Sequence, residues 1–398
     1  MFPVLSEPSL TSVATSYCSL YDMTKVRLLK NGSEIFPAMF DAIDRAVSSV
    51  GLEMYIFVDD GTGREFRDRL VSAAKRGVRV MVMVDAVGSW PLPESFWDEL
   101  RNSGGMARQF RPVSRGMFFL RNHRKLLLVD DRIAYIGGVN IADEYYLGSR
   151  GEPAWRDNAL EITGGEVKRV RRSFDRMWMR AEMPFRKVVL SLRPGRRTRE
   201  QPGSGSLQFL ESGPEDPMQP VRSAYRQLIG GAGRSIDLAM GYFYPSGRIL
   251  RALKRAVLRG VRVRLLFSQR SDVAVARWAA RGLYGRLLRD GIEVWEYRPA
   301  MMHAKLAIID DVVVAGSANL DIRSGRINSE LVAVVNDVEL AQQARADFDE
   351  DLLQADRISL EEWKERPYTQ RIKERISYCF LARLDIFIAR AEMARTMR

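Results

Sequence analysis

The two histidines of this chain stand in the same local sequence. The 398 residues contain two histidines, His123 and His303, and each is followed two places later by a lysine, Lys125 or Lys305. Residues two apart in a strand project from the same face, so each histidine and its lysine are expected to point the same way. A neutral imidazole is a nucleophile toward phosphorus, and an ammonium group neutralises phosphate charge. The repeated pair therefore predicts chemistry on a phosphodiester.

Two imidazoles suit a double displacement. One attacks phosphorus, while the other, when protonated, donates to the leaving alkoxide and later takes the proton of the incoming hydroxyl. An attacking imidazole needs its other ring nitrogen held by a carboxylate. Each half of the chain supplies one candidate, Asp157 in WRDNALEI and Glu330 in NSELVAVV. We expect these two carboxylates to orient the imidazoles.

Further polar side chains are expected to reach the phosphate. A second apolar strand follows each histidine and ends in IGGVN or AGSAN, which places Asn140 and Asn319 at matching points. With the two lysines, these amides would hold the non-bridging oxygens. Ser317 shares the face of Asn319, and Gly138 occupies the corresponding place in the first half. Ser317 is therefore expected to bind phosphate in one half only.

Each histidine is also followed seven places later by an aspartate, Asp130 or Asp310. Both belong to the repeated HxKxxxxD pattern and are counted with its catalytic residues. Each stands beside a second aspartate at a strand end, where turn formation is the simpler explanation, so a structural or supporting role is favoured for both. One such pattern alone would be an ordinary strand with a polar end. Two copies in register, in a chain without other histidines, favour catalysis.

The elements around the two motifs repeat as well. RGVRV at 76–80 returns at 259–263, an offset of 183, and the segment from Leu52 is matched to the segment from Ile236 at an offset of 184. Each copy reads as an apolar strand, an amphipathic helix closed by glycine, and a buried strand. This order predicts an α/β fold with two duplicated domains, each a mostly parallel sheet flanked by helices. The two domains are expected to share one central active site.

A segment rich in Pro, Gly, Ser and Arg separates the halves and reads as an exposed linker, residues 192–206. The predicted organisation then follows in chain order. It consists of an N-terminal extension (1–25), a first domain (26–191), the linker, a second domain (207–358) and a basic amphipathic tail (359–398).

Composition agrees with a folded protein, because 46% of the residues are hydrophobic and 28% are charged. Two cysteines at opposite ends of the chain imply no disulfide framework. No export signal and no apolar run of about 18 residues is recognised, so a peripheral protein in a reducing cytoplasm is expected. Histidine and cysteine are too few for a zinc-type site. No metal and no other cofactor is expected, although a carboxylate-only magnesium site stays open.

The two motif copies resemble the phospholipase D superfamily, whose repeated HxKxxxxD signature they match. The stretches HRKLLLVDDRIAYIGGVNIADEY and HAKLAIIDDVVVAGSANLDIRSGRINSE are similar to bacterial cardiolipin synthases, particularly the compact kind without N-terminal membrane spans. The likeness runs from about Val26 to about Asp356. It implies two facing α/β domains with one active site, a covalent phosphohistidine and no metal, and it favours His123 as the nucleophile. For the synthase branch it implies phosphatidyl transfer from one phosphatidylglycerol to the hydroxyl of another, with release of glycerol.

A net charge of +12 and a pI near 9.8 draw the chain toward a polyanion. Two segments favour an anionic lipid surface over nucleic acid. The stretch FRPVSRGMFFLRN (110–122) places four apolar residues among arginines, where they are expected to contact lipid: Met117, Phe118, Phe119 and Leu120. The alternative is a loop that packs on its own domain.

The second segment is the tail from Tyr368, where apolar residues recur three and four apart beside many basic residues: Ile372, Ile376, Phe380, Leu384, Phe387 and Ile388. This pattern is typical of a helix in a membrane interface. A helix docked on the domain or on another subunit is the alternative.

The sequence therefore predicts a peripheral enzyme on the cytoplasmic side of the cell membrane. Its expected activity is phosphatidyl transfer of cardiolipin synthase type, from phosphatidylglycerol to the hydroxyl of a second phospholipid. Hydrolysis to phosphatidic acid is the main alternative, followed by a nuclease, which net charge favours, and a lipid-binding scaffold with a dead site. No nucleic acid is expected as a partner, because no stripe of aromatic and basic residues for stacking bases is seen. The acceptor and the oligomeric state stay open.

Overall fold

A computed structural model describes residues 24–112, 121–149, 151–181, 183, 206–214, 216, 218–321, 323–324 and 327–381. These residues form a seven-stranded sheet and an eight-stranded sheet, each flanked by helices. Several predicted segments lie outside the described residues: the lipid-contacting residues Met117, Phe118, Phe119 and Leu120, most of the N-terminal extension, the linker except residue 206, and the end of the tail.

The first sheet has the strand order β1-β7-β6-β5-β2-β3-β4. Its strands are β1 (Lys25–Lys30), β2 (Ser49–Met54), β3 (Arg79–Asp85), β4 (Met106–Phe110), β5 (Leu126–Val129), β6 (Ile133–Gly137) and β7 (Asn158–Thr163). Its helices are α1 (Asn31–Asp44), α2 (Gly61–Lys75), α3 (Asp98–Asn102), α4 (Asp143–Tyr146) and α5 (Val167–Arg180). The motif that contains His123 leads into β5.

The second sheet has the strand order β15-β11-β10-β9-β12-β13-β14-β8. Its strands are β8 (Leu207–Ser212), β9 (Ser235–Met240), β10 (Arg262–Ser268), β11 (Glu293–Tyr297), β12 (Lys305–Ile309), β13 (Val312–Gly316), β14 (Glu330–Asn336) and β15 (Ala355–Arg357). Its helices are α6 (Pro220–Gly231), α7 (Gly247–Leu258), α8 (Ala274–Arg289), α9 (Val338–Leu353), α10 (Leu360–Glu365) and α11 (Tyr368–Cys379). The motif that contains His303 leads into β12.

Parallel pairing is confined to three strands of each sheet. In the described residues β2, β3 and β4 pair in parallel, as do β9, β10 and β11, and the other neighbouring strands are antiparallel. The α/β class with duplicated domains is confirmed, but the prediction of a mostly parallel sheet is wrong, and both sheets are mixed. The turn after β5 has three residues (130–132) and the turn after β12 has two (310–311). Turns this short connect antiparallel strands only.

The two sheets repeat one another, with one correction to the predicted register. Leu52 of β2 pairs with Val82 of β3 and with Leu127 of β5. In the second sheet Leu238 of β9 holds the matching position, because it pairs with β10 and β12. Leu238 lies 186 positions after Leu52, so the predicted offset of 184 for this strand is wrong by two residues. An error of two keeps every side chain on its predicted face of the sheet, because side chains alternate with a period of two.

The helices predicted after these strands are α2 and α7. Each ends just before a glycine, Gly77 with φ of 89° and Gly260 with φ of 88°. Glycine adopts this left-handed backbone without the steric cost that other residues meet, so it ends the helix and lets the chain turn into the next strand. The turn brings the chain into β3 and β10, each of which pairs in parallel with a strand on either side.

The two domains share an apolar core and exchange backbone contacts. Leu126 of the first sheet and Leu306 of the second belong to one cluster of buried residues. Asn122 forms a β-bridge with Ser329, and Arg156 forms one with Met302. The residues just before both histidines are thus held against the opposite domain.

The described part of the tail docks on α8 through a polar contact. Glu374 of α11 is 1% exposed, accepts hydrogen bonds from Arg366 and Gln370 at 3.0 Å each, and lies 3.7 Å from the guanidinium of Arg281. A carboxylate is rarely buried without such partners. These contacts hold α11 on the domain by its polar face.

The described residues of the predicted apolar stripe point away from the domain, whereas Tyr378 of α11 packs against its core. Ile372, Ile376 and Phe380 are 42%, 64% and 49% exposed. The other predicted positions of this stripe lie outside the described residues: Leu384, Phe387 and Ile388. No helix in the described part of the chain is both long enough and apolar enough to cross a membrane.

Candidate active site

The two histidine segments lie together at the boundary between the domains. The backbone N–H of His123 donates to the carbonyl of Ser329 at 3.0 Å, and that of His303 donates to the carbonyl of Arg156 at 2.8 Å. Both imidazoles are buried, at 9% and 4% exposed. The histidines therefore face each other across one boundary, as expected for a single shared site.

Each imidazole is held by a carboxylate from the opposite domain. Nδ1 of His123 lies 3.1 Å from Oε1 of Glu330, and Nδ1 of His303 lies 2.6 Å from Oδ2 of Asp157. Both carboxylates are fully buried. They are charged acceptors, so Nδ1 of each ring carries the proton and Nε2 is left with its lone pair. Within the described structure neither domain alone holds a complete histidine–carboxylate pair, and this exchange was not foreseen from the sequence.

The two carboxylates are supported differently. Ser317 donates its hydroxyl hydrogen to Oε2 of Glu330 at 2.5 Å and accepts from the N–H of Leu331 at 3.0 Å. A side chain at the matching Gly138 would place Cβ 2.2 Å from Oδ1 of Asp157. Ser317 thus holds Glu330 in place by a hydrogen bond, while Gly138 leaves space for the side chain of Asp157. This explains why Gly-Gly stands in the first half where the second half has Gly-Ser.

Replacing Gly138 with alanine is therefore expected to displace Asp157 and to lower phosphodiester turnover by at least about 100-fold, through loss of the held imidazole. Gly230→Ala is a matched control, because a Cβ there meets no atom within 4 Å. Steady-state turnover and thermal unfolding of both variants check this. Full activity in a folded Gly138→Ala protein would contradict it.

Two buried lysines flank the imidazoles. Lys125 donates to the carbonyl of His123 at 2.6 Å, and Nζ of Lys305 lies 2.9 Å and 3.2 Å from the two ring nitrogens of His303. Lys125 is 2% exposed and Lys305 is fully buried. Each lysine thus accompanies its histidine into the site, as the HxK spacing predicts.

Burial and like charge lower the pKa of these bases. Burial, followed by the charge of Lys125, lowers the pKa of His123 to about 4 despite the opposing effect of Glu330. Burial and Lys305 likewise lower the pKa of His303. Burial and Lys305 lower the pKa of Lys125 to about 7. Both imidazoles are therefore neutral at pH 7 in the empty site, and a neutral imidazole is the nucleophilic form.

The predicted amide ligands of the phosphate differ in their partners. Asn140 donates to the hydroxyl oxygen of Tyr145 at 2.7 Å, and its Oδ1 accepts from the N–H of Ile56 at 3.2 Å. Asn319 is 6% exposed, and its Oδ1 has no hydrogen-bond partner among the described residues. Oδ1 is an acceptor, so it can take a hydrogen bond from a ligand donor but cannot bind a phosphate oxygen, which is itself an acceptor. A phosphate role for either amide, through its Nδ2 donor, stays a prediction.

The aspartates of the motif lie at the other edge of the sheets. Asp130 accepts from the backbone N–H groups of Val47, Ser48 and Ser49, and Asp310 accepts from those of residues 233–235. Seven residues of extended chain place each about 23 Å from its histidine. Their described hydrogen bonds are those of a turn, and a catalytic role for either stays a prediction. They close the turns after β5 and β12, which is the structural role that the sequence favoured.

Four aromatic side chains around the imidazoles were missed in the sequence analysis. The ring of Tyr55 lies 4.8 Å from that of His123. Tyr145, Trp155 and Tyr242 surround His303, with ring separations of 5.2, 5.7 and 6.2 Å. Tyr55 and Tyr242 follow the ends of β2 and β9, where polar residues of such sheets converge. That position is the signal by which they could have been found.

Comparison with known proteins agrees with this architecture. A family model described as cardiolipin synthase, PLD-like domain, matches residues 39–178 and 225–352. The chain is 34% identical to the cardiolipin synthase of Geobacillus sp. (strain WCH70) over 359 residues, which are 89% of this chain and 71% of that protein. It is 33% identical to the major cardiolipin synthase ClsA of Bacillus subtilis (strain 168) over 359 residues, 88% of this chain and 74% of that protein.

Among solved structures, the fold is similar to that of phosphatidylserine synthase from Haemophilus influenzae Rd KW20. The TM-score is 0.67 over 97% of this chain and 99% of that chain, at 14% sequence identity. At this identity the likeness shows the fold alone. It extends over both domains.

Proposed function

Because the chain belongs to the phospholipase D superfamily, in the family described as cardiolipin synthase, PLD-like domain, we propose that it moves a phosphatidyl group from phosphatidylglycerol to the hydroxyl of a second phospholipid. The observation that carries this proposal is the pair of crossed contacts, His123 with Glu330 and His303 with Asp157. These contacts hold both imidazoles by Nδ1 at the boundary between the domains and leave Nε2 of His123 with its lone pair. The chain is thus an enzyme with one reaction centre built by both domains.

The first step is attack by Nε2 of His123 on the phosphorus of phosphatidylglycerol. A P–N bond forms and the P–O bond to the glycerol headgroup breaks, while the proton of protonated His303 passes to the leaving oxygen. In the second step the acceptor hydroxyl gives its proton to His303 and attacks phosphorus. The new P–O bond forms as the P–N bond breaks, and both imidazoles return to their starting state.

The charges of the site favour this exchange. Two lysines and two carboxylates balance each other when both imidazoles are neutral. A phosphodiester adds one negative charge in a buried site, where an unbalanced charge is costly. Its arrival therefore raises the pKa of the neighbouring imidazole and favours uptake of one proton. Protonation of His303 restores the balance and prepares the acid for the leaving oxygen.

The phosphate itself would be held by the two lysines and by Nδ2 of Asn319. These groups present positive charge and an N–H donor to the non-bridging oxygens, which carry the developing charge of the transition state. Ser317 donates to Glu330 rather than toward the site. We therefore assign it to the support of Glu330, in place of the phosphate contact expected from the sequence.

The dependence of the reaction on pH follows from three of these groups. In the free enzyme His123 becomes a nucleophile above its pKa of about 4, and Lys125 loses its positive charge above its pKa of about 7. Since kcat/KM reports the free enzyme, it is expected to rise through pH 4 and to fall at higher pH for two reasons: His303 must gain the proton that the leaving oxygen takes, and Lys125 loses its charge above pH 7. Lys125→Arg should make the fall above pH 7 less steep, because arginine stays protonated. Initial rates on short-chain phosphatidylglycerol from pH 4 to 9 measure both limbs, and an unchanged fall in the variant would contradict the assignment.

Location at a membrane surface is supported by the exposed stripe of α11. Ile372, Ile376 and Phe380 lie on the outer side of a helix whose polar face is docked on the domain. Apolar side chains at this spacing fit the boundary between headgroups and acyl chains, and the net charge of +12 favours an anionic surface. We propose that the chain acts as a peripheral protein on the cytoplasmic side of the membrane.

The proposal is tested with the purified full chain and vesicles of labelled phosphatidylglycerol, followed by separation of the lipids. Cardiolipin together with free glycerol is the expected result. Phosphatidic acid in place of cardiolipin would indicate a hydrolase, for which the same two-step chemistry serves with water as acceptor. Cleavage of DNA without lipid turnover would overturn the lipid function.

A further inference from the structure

The surroundings of the two imidazoles differ in charge. The hydroxyl of Tyr242 donates to Oδ1 of Asp272 at 2.5 Å, and the Tyr242 ring stands perpendicular to the ring of His303 at 6.2 Å. Asp272 is exposed, and among the described residues Tyr242 provides its hydrogen bond. On the other side, the ring of Tyr55 lies against His123. The carboxylate nearby, Asp85, is buried and paired with Arg121. A carboxylate thus stands at the mouth of the His303 side of the site.

A carboxylate is unfavourable beside an anionic substrate, and its field reaches the reaction centre. Burial and Lys305 lower the pKa of His303, while Asp157 and Asp272 act in the opposite direction. Asp272 also opposes the lowering that burial causes in the pKa of Lys305. Since phosphate oxygens would be repelled by this group, Asp272 is suited to a neutral partner that carries hydrogen-bond donors.

The aromatic residues nearby suit the same kind of partner. Trp155 is partly exposed, and its ring lies 5.7 Å from that of His303. The hydroxyl oxygen of Tyr145 accepts from Asn140 at 2.7 Å, which leaves its own hydrogen to be donated to a ligand. Flat aromatic faces cover C–H groups, while phenol and carboxylate groups bind hydroxyls. Together these side chains fit a small polyol.

We infer that Asp272, Tyr242, Tyr145 and Trp155 form a subsite for the glycerol part of the alcohol. This inference rests on the proposed phosphatidyl transfer, since it names where the leaving glycerol and the glycerol unit of the acceptor lie. The subsite holds the hydroxyls that do not react, and the reacting oxygen is left beside His303, with which it exchanges a proton. It thereby favours a glycerol-bearing alcohol over water and over simple alcohols.

The test compares two acceptors that share a primary hydroxyl. The full chain is incubated with phosphatidylglycerol vesicles and labelled glycerol or labelled 1-propanol, and the labelled lipid is measured for each. Both alcohols attack the same phosphoenzyme, but 1-propanol lacks the neighbouring hydroxyls. The wild-type chain is expected to prefer glycerol at equal concentration.

Asp272→Asn is expected to lower that preference at least tenfold, because it removes a charge-assisted hydrogen bond to the polyol but keeps an oxygen that accepts from Tyr242. Tyr242→Phe should lower the preference in the same direction. Asp311→Asn is the matched control, because Asp311 pairs with Arg234 in the turn at the opposite edge of the same sheet.

An unchanged preference in both variants, or an equal loss of transfer to both alcohols, would overturn the subsite and leave only a structural role for Asp272. A wild-type chain that transfers to both alcohols without preferring glycerol would overturn it as well. If the wild type makes cardiolipin from the same vesicles but transfers to neither alcohol, the subsite is overturned, and if it makes neither cardiolipin nor labelled lipid, the proposed function is overturned. The two failures are thus distinguished by the wild-type reaction.

Discussion

Asparagine at position 123 is expected to prevent formation of a covalent phosphatidyl-enzyme, whereas asparagine at position 303 is expected to trap it. The donor for this experiment is phosphatidyl-p-nitrophenol, which releases a coloured leaving group. The His303→Asn protein should give a burst of about one equivalent of p-nitrophenol and then turn over about 1,000-fold more slowly than the wild type. The His123→Asn protein should give no burst, and its turnover should fall by about 10,000-fold or more.

The difference arises from the leaving group. Since p-nitrophenolate leaves without a proton, the first step with this donor does not need the acid that glycerol requires. The second step still needs a base to accept the proton of the attacking hydroxyl. Removal of His303 therefore blocks the second step more than the first, and the P–N intermediate accumulates.

The opposite pattern, with a burst in His123→Asn alone, would exchange the roles of the two histidines and would contradict the assignment that the glycerol subsite implies. A folded His303→Asn protein that turns over without a burst and without a trapped intermediate would contradict the covalent mechanism. Thermal unfolding of both variants serves as the control for folding. Digestion of the trapped protein should locate the phosphoryl group on His123.

The candidate reactive residues could be predicted from the sequence because their signal is local. His123 and Lys125 face the same way through the period of the strand alone, and the second copy in register removed the chance explanation. The duplication could be found in the same way, since a strand, a helix and a glycine cap each have short-range patterns.

The contacts that complete the site could not be predicted, because they depend on how the domains pack. Glu330 meets His123 across 207 positions, and Asp157 meets His303 across 146. One carboxylate per half is compatible with pairing inside a half or between halves, and spacing cannot distinguish these. The mixed strand order has a different origin, since the short turns after β5 and β12 form antiparallel hairpins, whereas the βαβ pattern extends, among the residues that the structure describes, only over β2 to β4 and β9 to β11.

The carboxylates provide the second large effect. Asp157→Asn and Glu330→Gln are each expected to lower the rate of cardiolipin synthesis from phosphatidylglycerol by about 1,000-fold to 10,000-fold. A loss of this size is expected because each imidazole loses the carboxylate that keeps its proton on Nδ1. An amide can present N–H to Nδ1, which favours the wrong tautomer and places the proton on Nε2. Glu65→Gln and Asp68→Asn are the controls, because they make the same change from carboxylate to amide on the exposed side of α2.

The two variants should differ with the coloured donor, and this difference follows from the crossed pairing. Glu330 holds His123, so Glu330→Gln is expected to slow the p-nitrophenol burst itself. Asp157 holds His303, so Asp157→Asn is expected to leave a burst and to slow the steady state, as His303→Asn does. If each carboxylate instead affected the histidine of its own domain, Asp157→Asn would abolish the burst. The burst amplitude of these two proteins therefore tests whether the reaction centre is shared between the domains in solution.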